Sequence, residues 1–475
     1  MNESKRHVII MGGGPAGLAA GKVLTDHGAR TTVLEKDDGV GGLSRTHSHN
    51  GFLFDLGGHR FFTKKAELDK FLHDLMVDEL IDVDRYSKIY FLNRYFNYPP
   101  TFLNAFKGLG PAMSARILVS FLFDRWLLFR GREVVTLEDW MIKQFGRRMY
   151  EIFFKTYTEK VWGVPCTQIS AEWAAQRIKG MSLLGTIRES VLPSRKEQPV
   201  SLIGHFKYPA HGIGRISERL AREIRQSNEI LLNSRAAGVL HRDGEVYGVK
   251  VRRSDGTEET MEGGPVLSSI PVTELIHILD PPAPDEVKEA ANRLRYRDLL
   301  IVAIMFDVER ITEDTWIYLP DPDVKFGRLH EPTNWSPAMS PPGKTSLVFE
   351  YFCFETDPVW SMKDEDLYRM TLEELKRIGL APGKERHAFD YRVVRARKAY
   401  PLHDIGHEKH LDTIKDYLEN FTNLILMGRY GQFVYNNIDH SIETGLRAAR
   451  RALGEEVKTS PDVKRDEYLE EKYEK

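Results

Sequence analysis

The chain opens on the feature that constrains it most, a β-branched run His7-Val8-Ile9-Ile10-Met11 leading straight into Gly12-Gly13-Gly14-Pro15-Ala16-Gly17. A short apolar run bounded by glycines reads as a strand buried on both faces. Leu18 to Asp26 continues with Leu and Ala at helical spacing, and Arg30 to Leu34 forms a second short strand ending at Glu35. The glycines fit the spacing GxGxxG. Gly12 permits a tight turn, Gly14 lets backbone amides approach a pyrophosphate, and Gly17 lets helix and strand pack closely. Glu35, on the far side of the unit, stands where a carboxylate accepts hydrogen bonds from a ribose. Strand, glycines, helix, strand and acid in this order predict an α/β domain that binds a dinucleotide.

A chain of 475 residues is too long for one hydrophobic core, so two or more domains are expected. Lys and Arg number 67 against 69 Asp and Glu, for a formal charge of −2, which argues against a nucleic-acid partner or a polybasic membrane binder. Cys166 and Cys353 stand far apart with no CxxC pair, so neither a disulfide scaffold nor a thiolate metal site is expected, and a reducing cytoplasm is the simplest setting. The first residues lack the layout of a signal peptide. No apolar stretch approaches the roughly 20 residues of a spanning helix, so no stable membrane insertion is expected. The most apolar window, Ile117 to Phe129, carries Asp124 and Arg125 at its centre. It reads as a buried or dimer-forming helix, which leaves a homo-oligomer open, with a monotopic membrane patch as the alternative.

Beyond residue 60, apolar residues at three and four spacing predict helices over Ala66 to Leu80, Pro111 to Phe129, Thr136 to Phe154 and Ser170 to Lys179. Thr136-Leu137-Glu138-Asp139 has the form of a helix start. From Leu231 the pattern turns to short β segments with turn signals, a meander, and Leu299 to Asp307, Thr315 to Leu319 and Leu347 to Phe354 predict a further sheet. Near the end, Leu424 to Met427 reads as a buried strand feeding a helix from about Ile438 to Leu453, whose N-terminus offers free amides and positive partial charge. The expected fold is therefore α/β: a discontinuous Rossmann-like domain (1–75, 205–290, 415–456), an inserted helical domain (76–204), an antiparallel substrate-binding sheet (291–414) and a charged tail (457–475).

After the acid come Gly41-Gly42-Leu43-Ser44-Arg45-Thr46 and then Phe52-Leu53-Phe54-Asp55-Leu56-Gly57-Gly58-His59. These residues resemble the second signature of the glutathione-reductase-like FAD fold, in its amine-oxidase and UDP-galactopyranose mutase branch. The resemblance implies FAD as cofactor, with Gly42 and Arg45 along its pyrophosphate, Gly58 and His59 at the isoalloxazine, and Val239 near the adenine. It also implies that the closing segment, through Gly428, Arg429, Asn437, Asp439, His440 and Ser441, holds the N1 and O2 edge of the flavin.

Asn97-Tyr98-Pro99-Pro100, Lys160-Val161-Trp162-Gly163-Val164-Pro165, Lys207-Tyr208-Pro209-Ala210 and Gly428-Arg429-Tyr430-Gly431 resemble UDP-galactopyranose mutases, particularly the eukaryotic type. That likeness implies a nucleotide-sugar substrate interconverted between pyranose and furanose rings through a flavin N5–sugar adduct on reduced flavin, with NAD(P)H as a candidate reductant. It gives Arg177 and Arg328 as the arginines that clamp the diphosphate, Tyr400 and Tyr435 as hydroxyl donors to it, Tyr98 and Trp162 as further substrate contacts, and His59 as tuning the flavin. Guanidinium forks suit phosphate oxygens, and phenols add neutral donors. Pro100-Thr101 replaces the Phe-Gln of the eukaryotic type, Thr158 replaces an asparagine, and Tyr435 to Asp439 is two residues shorter than the loop there, which leaves base and sugar open. The alternative is an oxidoreductase of the protoporphyrinogen oxidase, desaturase or amine oxidase type, which shares both FAD signatures and calls for an apolar pocket.

Overall fold

The computed structural model describes residues 7–91, 93–98, 111–124, 126, 133–171 and 204–455. Its first sheet is parallel, with strands in the order Leu424–Leu426, Val266–Ser268, Val8–Met11, Thr31–Leu34 and Glu229–Leu231. Val8–Met11 sits at the centre with every residue buried, as its apolar run requires. Full burial of each such Ile or Val contributes roughly 1.5–3 kcal/mol. Helix Pro15–Asp26 packs on this sheet between helices Gly214–Ile224 and Ile438–Ala452, and together they build an apolar core from Leu18, Leu24, Ile216, Leu220 and Ile442. A nucleotide-type sheet is thus gathered from the beginning, middle and end of the chain.

The second sheet has seven strands in the order Ala388–Pro401, Tyr296–Phe306, Thr345–Cys353, Arg328–His330, Trp316–Tyr318, Ser87–Phe91 and Arg94–Tyr98. All neighbours are antiparallel except Trp316–Tyr318 with Ser87–Phe91. A three-stranded antiparallel meander of Glu258–Glu262, Glu245–Arg253 and Ser234–Arg242 is extended by Leu279–Asp280, which pairs parallel with the last.

Two helix expectations change. The helix starting at Ala66 stops at Met76, and Leu80–Asp84, Ser87–Phe91 and Arg94–Tyr98 are strands, so the part of the chain read as a helical insert also supplies two strands to the second sheet. Leu80–Asp84 pairs with His205–Pro209 and Ser87–Phe91 with Trp316–Tyr318, each more than a hundred residues away, where local periodicity carries no signal, and Arg94–Tyr98 follows Ser87–Phe91 as a hairpin. The helix read as Thr136 to Phe154 breaks at Gly146. There φ is +79°, and a Cβ would lie 2.7 Å from the Phe121 Cα, so close approach of helix Pro111–Phe123 forces both the glycine and the break. Its start is as expected: the Thr136 Oγ1 accepts from the Asp139 N–H at 3.0 Å, and the Thr136 N–H donates to Asp139 Oδ2 at 3.2 Å. Among the described residues no helix is long and apolar enough to cross a membrane.

Candidate functional site

Between the two sheets lies a cavity of about 1240 Å³. Single-ligand pockets span roughly 300–1,000 Å³, so this one has room for a dinucleotide and a second ligand. Its floor is the turn after the first strand. Gly12 adopts φ +105°, and at Gly14 a Cβ would meet nothing within 4 Å, so the backbone there is open to the cavity. Gly17 does not line the cavity; a Cβ on it would sit 1.9 Å from the Gly12 carbonyl oxygen, which is the close helix-to-turn packing the motif calls for. Glu35 lines the cavity with its carboxylate anchored by the Gly13 N–H at 2.8 Å and the Asp37 N–H at 3.0 Å. Burial raises its pKa against those two hydrogen bonds.

Gly42 lies in the short helical turn Gly42–Ser44, which hangs on the first motif through the Gly41 N–H and the Gly13 carbonyl at 2.8 Å. Arg45 lines the cavity and pairs with Asp38 at 2.6 Å. From the opposite side, Gly428, Arg429, Asn437, Asp439, His440 and Ser441 line it at the N-terminus of helix Ile438–Ala452. Gly58 and His59 meet them there. The His59 imidazole is held neutral: burial, then the nearby Arg429 charge, lower its pKa to about 3.

Buried polar atoms around this cavity without a hydrogen-bond partner include His59 Nδ1, Asn436 Nδ2 and Trp316 Nε1, while Asp439 Oδ1 lies 3.3 Å from His440 Nδ1. Orphaned polar atoms are costly in a dry core, and their convergence with a glycine cradle and a helix N-terminus fits a polar ring system flanked by a pyrophosphate. The residues present therefore suit a flavin dinucleotide.

The remaining lobe is rich in donors. Tyr318, Arg328, Tyr400 and Tyr435 line it, and the Tyr400 and Tyr435 rings stack 5.7 Å apart. Trp162 is buried rather than lining the cavity, and its indole meets both tyrosine rings edge-on at 6.3 and 5.9 Å, so it buttresses them. Arg429 is also structural: its guanidinium donates to the Asn436 carbonyl (2.5 and 3.2 Å) and the Ala399 carbonyl (3.0 Å) and lies over the Tyr435 and Tyr400 rings. Arg328 donates through Nε and Nη2 to Glu350 at 2.6 and 2.5 Å, so its charge is already met by a carboxylate. Burial alone would raise the Glu350 pKa, but Arg328 and His330 outweigh it and hold the carboxyl at about 2.

Val239 lies away from the cavity. Its side chain is buried in the meander's core, while Ala236, three residues earlier on the same strand, lines the cavity with Ser234 and Arg235. A bulge between Ala236 and Gly238 keeps Ala236 and Val239 on one face, opposite Val251 and Val249, so the two differ in position along the strand and not in facing. Tyr98 ends the outermost strand of the second sheet opposite Ser87. Arg177 falls outside the described residues.

Glu350 and Lys160 escape the sequence reading. Glu350 is the single acid in Thr345–Cys353, a strand buried at every position, and that isolation was the available signal. Lys160 donates to the carbonyls of Leu319, Asp321 and Val324 at 2.6–2.7 Å, tying down the loop between Tyr318 and Arg328, and burial lowers its pKa to about 8.

The family described as flavin containing amine oxidoreductase matches residues 15–453. A crystal structure of reduced UDP-galactopyranose mutase superposes with a TM-score of 0.81 at 23% identity, covering 95% of this chain and 94% of that one. Protoporphyrinogen oxidase 2, chloroplastic/mitochondrial, of Arabidopsis thaliana is 20% identical over 98% of this chain and 97% of its own. A 4,4'-diapophytoene desaturase of Methylomonas is 40% identical, but the match spans 14% of this chain and only 12% of the desaturase.

Proposed function

Since the chain belongs to the flavin containing amine oxidoreductase family, we propose that it is an FAD enzyme acting on a nucleotide-diphosphate sugar, interconverting its pyranose and furanose forms in the manner of UDP-galactopyranose mutase. One observation carries this reading over an oxidoreductase with an apolar substrate: the lobe beside His59 is lined by Tyr318, Arg328, Tyr400 and Tyr435, a set of hydroxyl and guanidinium donors. Reduced flavin, when bound, supplies a nucleophilic nitrogen for attack on the anomeric carbon with no net oxidation.

In this reading the glycine turn, Glu35, Gly42 and Arg45 hold the dinucleotide, and the end of helix Ile438–Ala452 stabilises negative charge on the reduced ring. Arg328, with Nε and Nη2 fixed on Glu350, turns its remaining Nη1 edge to a phosphate oxygen, and Tyr400 and Tyr435 donate hydroxyls beside it. Arg177 completes the clamp. Neutral His59 offers a hydrogen bond at the ring without adding charge.

The reading also takes 1–75, 205–290 and 415–456 as the cofactor domain, 76–204 as the insert, 291–414 as the substrate domain and 457–475 as a tail. NAD(P)H is the proposed electron source, and two free buried cysteines fit a cytoplasmic setting. Incubating the dithionite-reduced enzyme with UDP-galactofuranose and related furanoses, with chromatography of the products, tests the proposal. Isomerisation supports it. No turnover of any nucleotide sugar, with stoichiometric oxidation of another compound, replaces it with the oxidoreductase reading.

A further inference from the structure

Helix Pro111–Phe123 is apolar on both sides. Ile117 and Phe121 are buried against the insert's core, and Asp124 beside them is buried, accepting from the Arg147 N–H at 2.7 Å and the Ser120 hydroxyl at 3.0 Å. The opposite side carries Leu118, Val119, Leu122 and Phe123, followed on the next turn by Trp126, all between 44% and 68% exposed. At about 100° per residue the first four fall on one contiguous arc, and Trp126 is exposed just beyond the helix end. A helix with apolar residues all round is normally buried, and isolated surface leucines are ordinary, whereas four large apolar side chains on one arc with an exposed indole following form a patch.

The patch has a basic rim. Arg116 is exposed on the same helix, and Arg147 and Arg148 are exposed on the short helix Arg147–Met149 docked against it. The acids within reach, Glu138 and Glu151, hold Arg147 and Arg148 only in long, open pairs of 3.9 and 3.4 Å, which an anionic group can displace at little cost. In sequence, residues 111–132 hold four arginines and one acid, and that acid is the inward-turned Asp124. A second copy of the chain on a two-fold axis would bring Arg116, Arg147 and Arg148 toward their own counterparts. An anionic bilayer complements both the apolar arc and its basic rim, with the indole at the depth such rings favour.

We infer that this helix face is a peripheral docking surface for anionic membranes, lying in the interface without spanning it. The holoenzyme is expected to co-sediment with vesicles of phosphatidylcholine and phosphatidylglycerol, to bind pure phosphatidylcholine vesicles more weakly, and to be released by added salt. The double variant Val119→Glu, Phe123→Glu is expected to lose about tenfold or more in vesicle partitioning while retaining the flavin absorbance of the wild type. Should that variant lose its flavin, Leu118→Ser with Trp126→Ser serves in its place with the same expected loss. The inference is overturned if the holoenzyme stays in the supernatant with the anionic vesicles, or if variants that keep their flavin pellet as the wild type does. It is equally overturned if light scattering without vesicles finds a dimer that these substitutions convert to monomer, because a second copy then covers the face.

Discussion

Arg328 and Glu350 face each other directly across two antiparallel strands, and the guanidinium meets the carboxylate in a fork of 2.6 and 2.5 Å. Glu350 is wholly buried, so the carboxylate pre-sets the side chain that the proposed substrate would meet.

Removing one partner of a buried pair leaves the other charged and unmet, so Glu350→Gln should cost about 3–5 kcal/mol of unfolding free energy. Glu350 has its pKa at about 2 when folded against an ordinary 4.5. The folded form therefore favours the ionised state, and this stabilisation is complete above about pH 4.5 and lost as pH falls toward 2. Denaturant unfolding of wild type and variant at pH 7 and pH 3 checks it: the gap between them should narrow at the lower pH.

His59 behaves oppositely. Its folded pKa, about 3, lies below the ordinary 6.5, so the unfolded chain takes up the proton first and acid weakens the fold through this residue. Between pH 6.5 and 3 the cost should reach about 1.4 kcal/mol per pH unit. His59→Gln should flatten the stability profile between pH 5 and 7, and the same steepness in both proteins would contradict the neutral, buried imidazole.

Gly17→Val should yield a protein without flavin. Its side chain would strike the Gly12 carbonyl and push the turn out of its cradle. The measurement is flavin absorbance per mole of purified protein, together with a stability loss of about 1–3 kcal/mol from overpacking.

Arg328→Ala should weaken nucleoside-diphosphate binding by roughly 1.5–3 kcal/mol, and Tyr400→Phe or Tyr435→Phe by about 0.5–1.5 kcal/mol each. Titration calorimetry with UDP reads all three. Arg177→Ala belongs in the same series, and unchanged binding in both arginine variants would remove the proposed clamp.

The glycine turns were legible because their chemistry is local: Gly12, Gly14 and Gly17 do what their spacing requires within a single strand-to-helix turn. The closing segment was legible for the same reason, since a strand feeding a helix announces an N-terminus. What the residues alone concealed was long-range. Strand Ser87–Phe91 docks on a partner near residue 317 and carries Arg94–Tyr98 with it as a hairpin, and their own sequence is ambiguous between helix and strand. Glu350 looks like any acid until the sheet register sets it opposite Arg328. Ala236 lines the cavity and Val239 does not, although a bulge that only strand pairing exposes sets both on one face.

The order of strands in the parallel sheet also bears on how the molecule comes into being. Val266–Ser268 is flanked by Val8–Met11 on one side and Leu424–Leu426 on the other. A ribosome must therefore deliver more than four hundred residues before that strand gains its second neighbour, and until then its backbone is an open edge able to pair with another chain. All but one of the sheet's strand pairings join segments far apart in the chain, so folding should be slow, should finish after synthesis, and should depend on shielding this one edge in the interval.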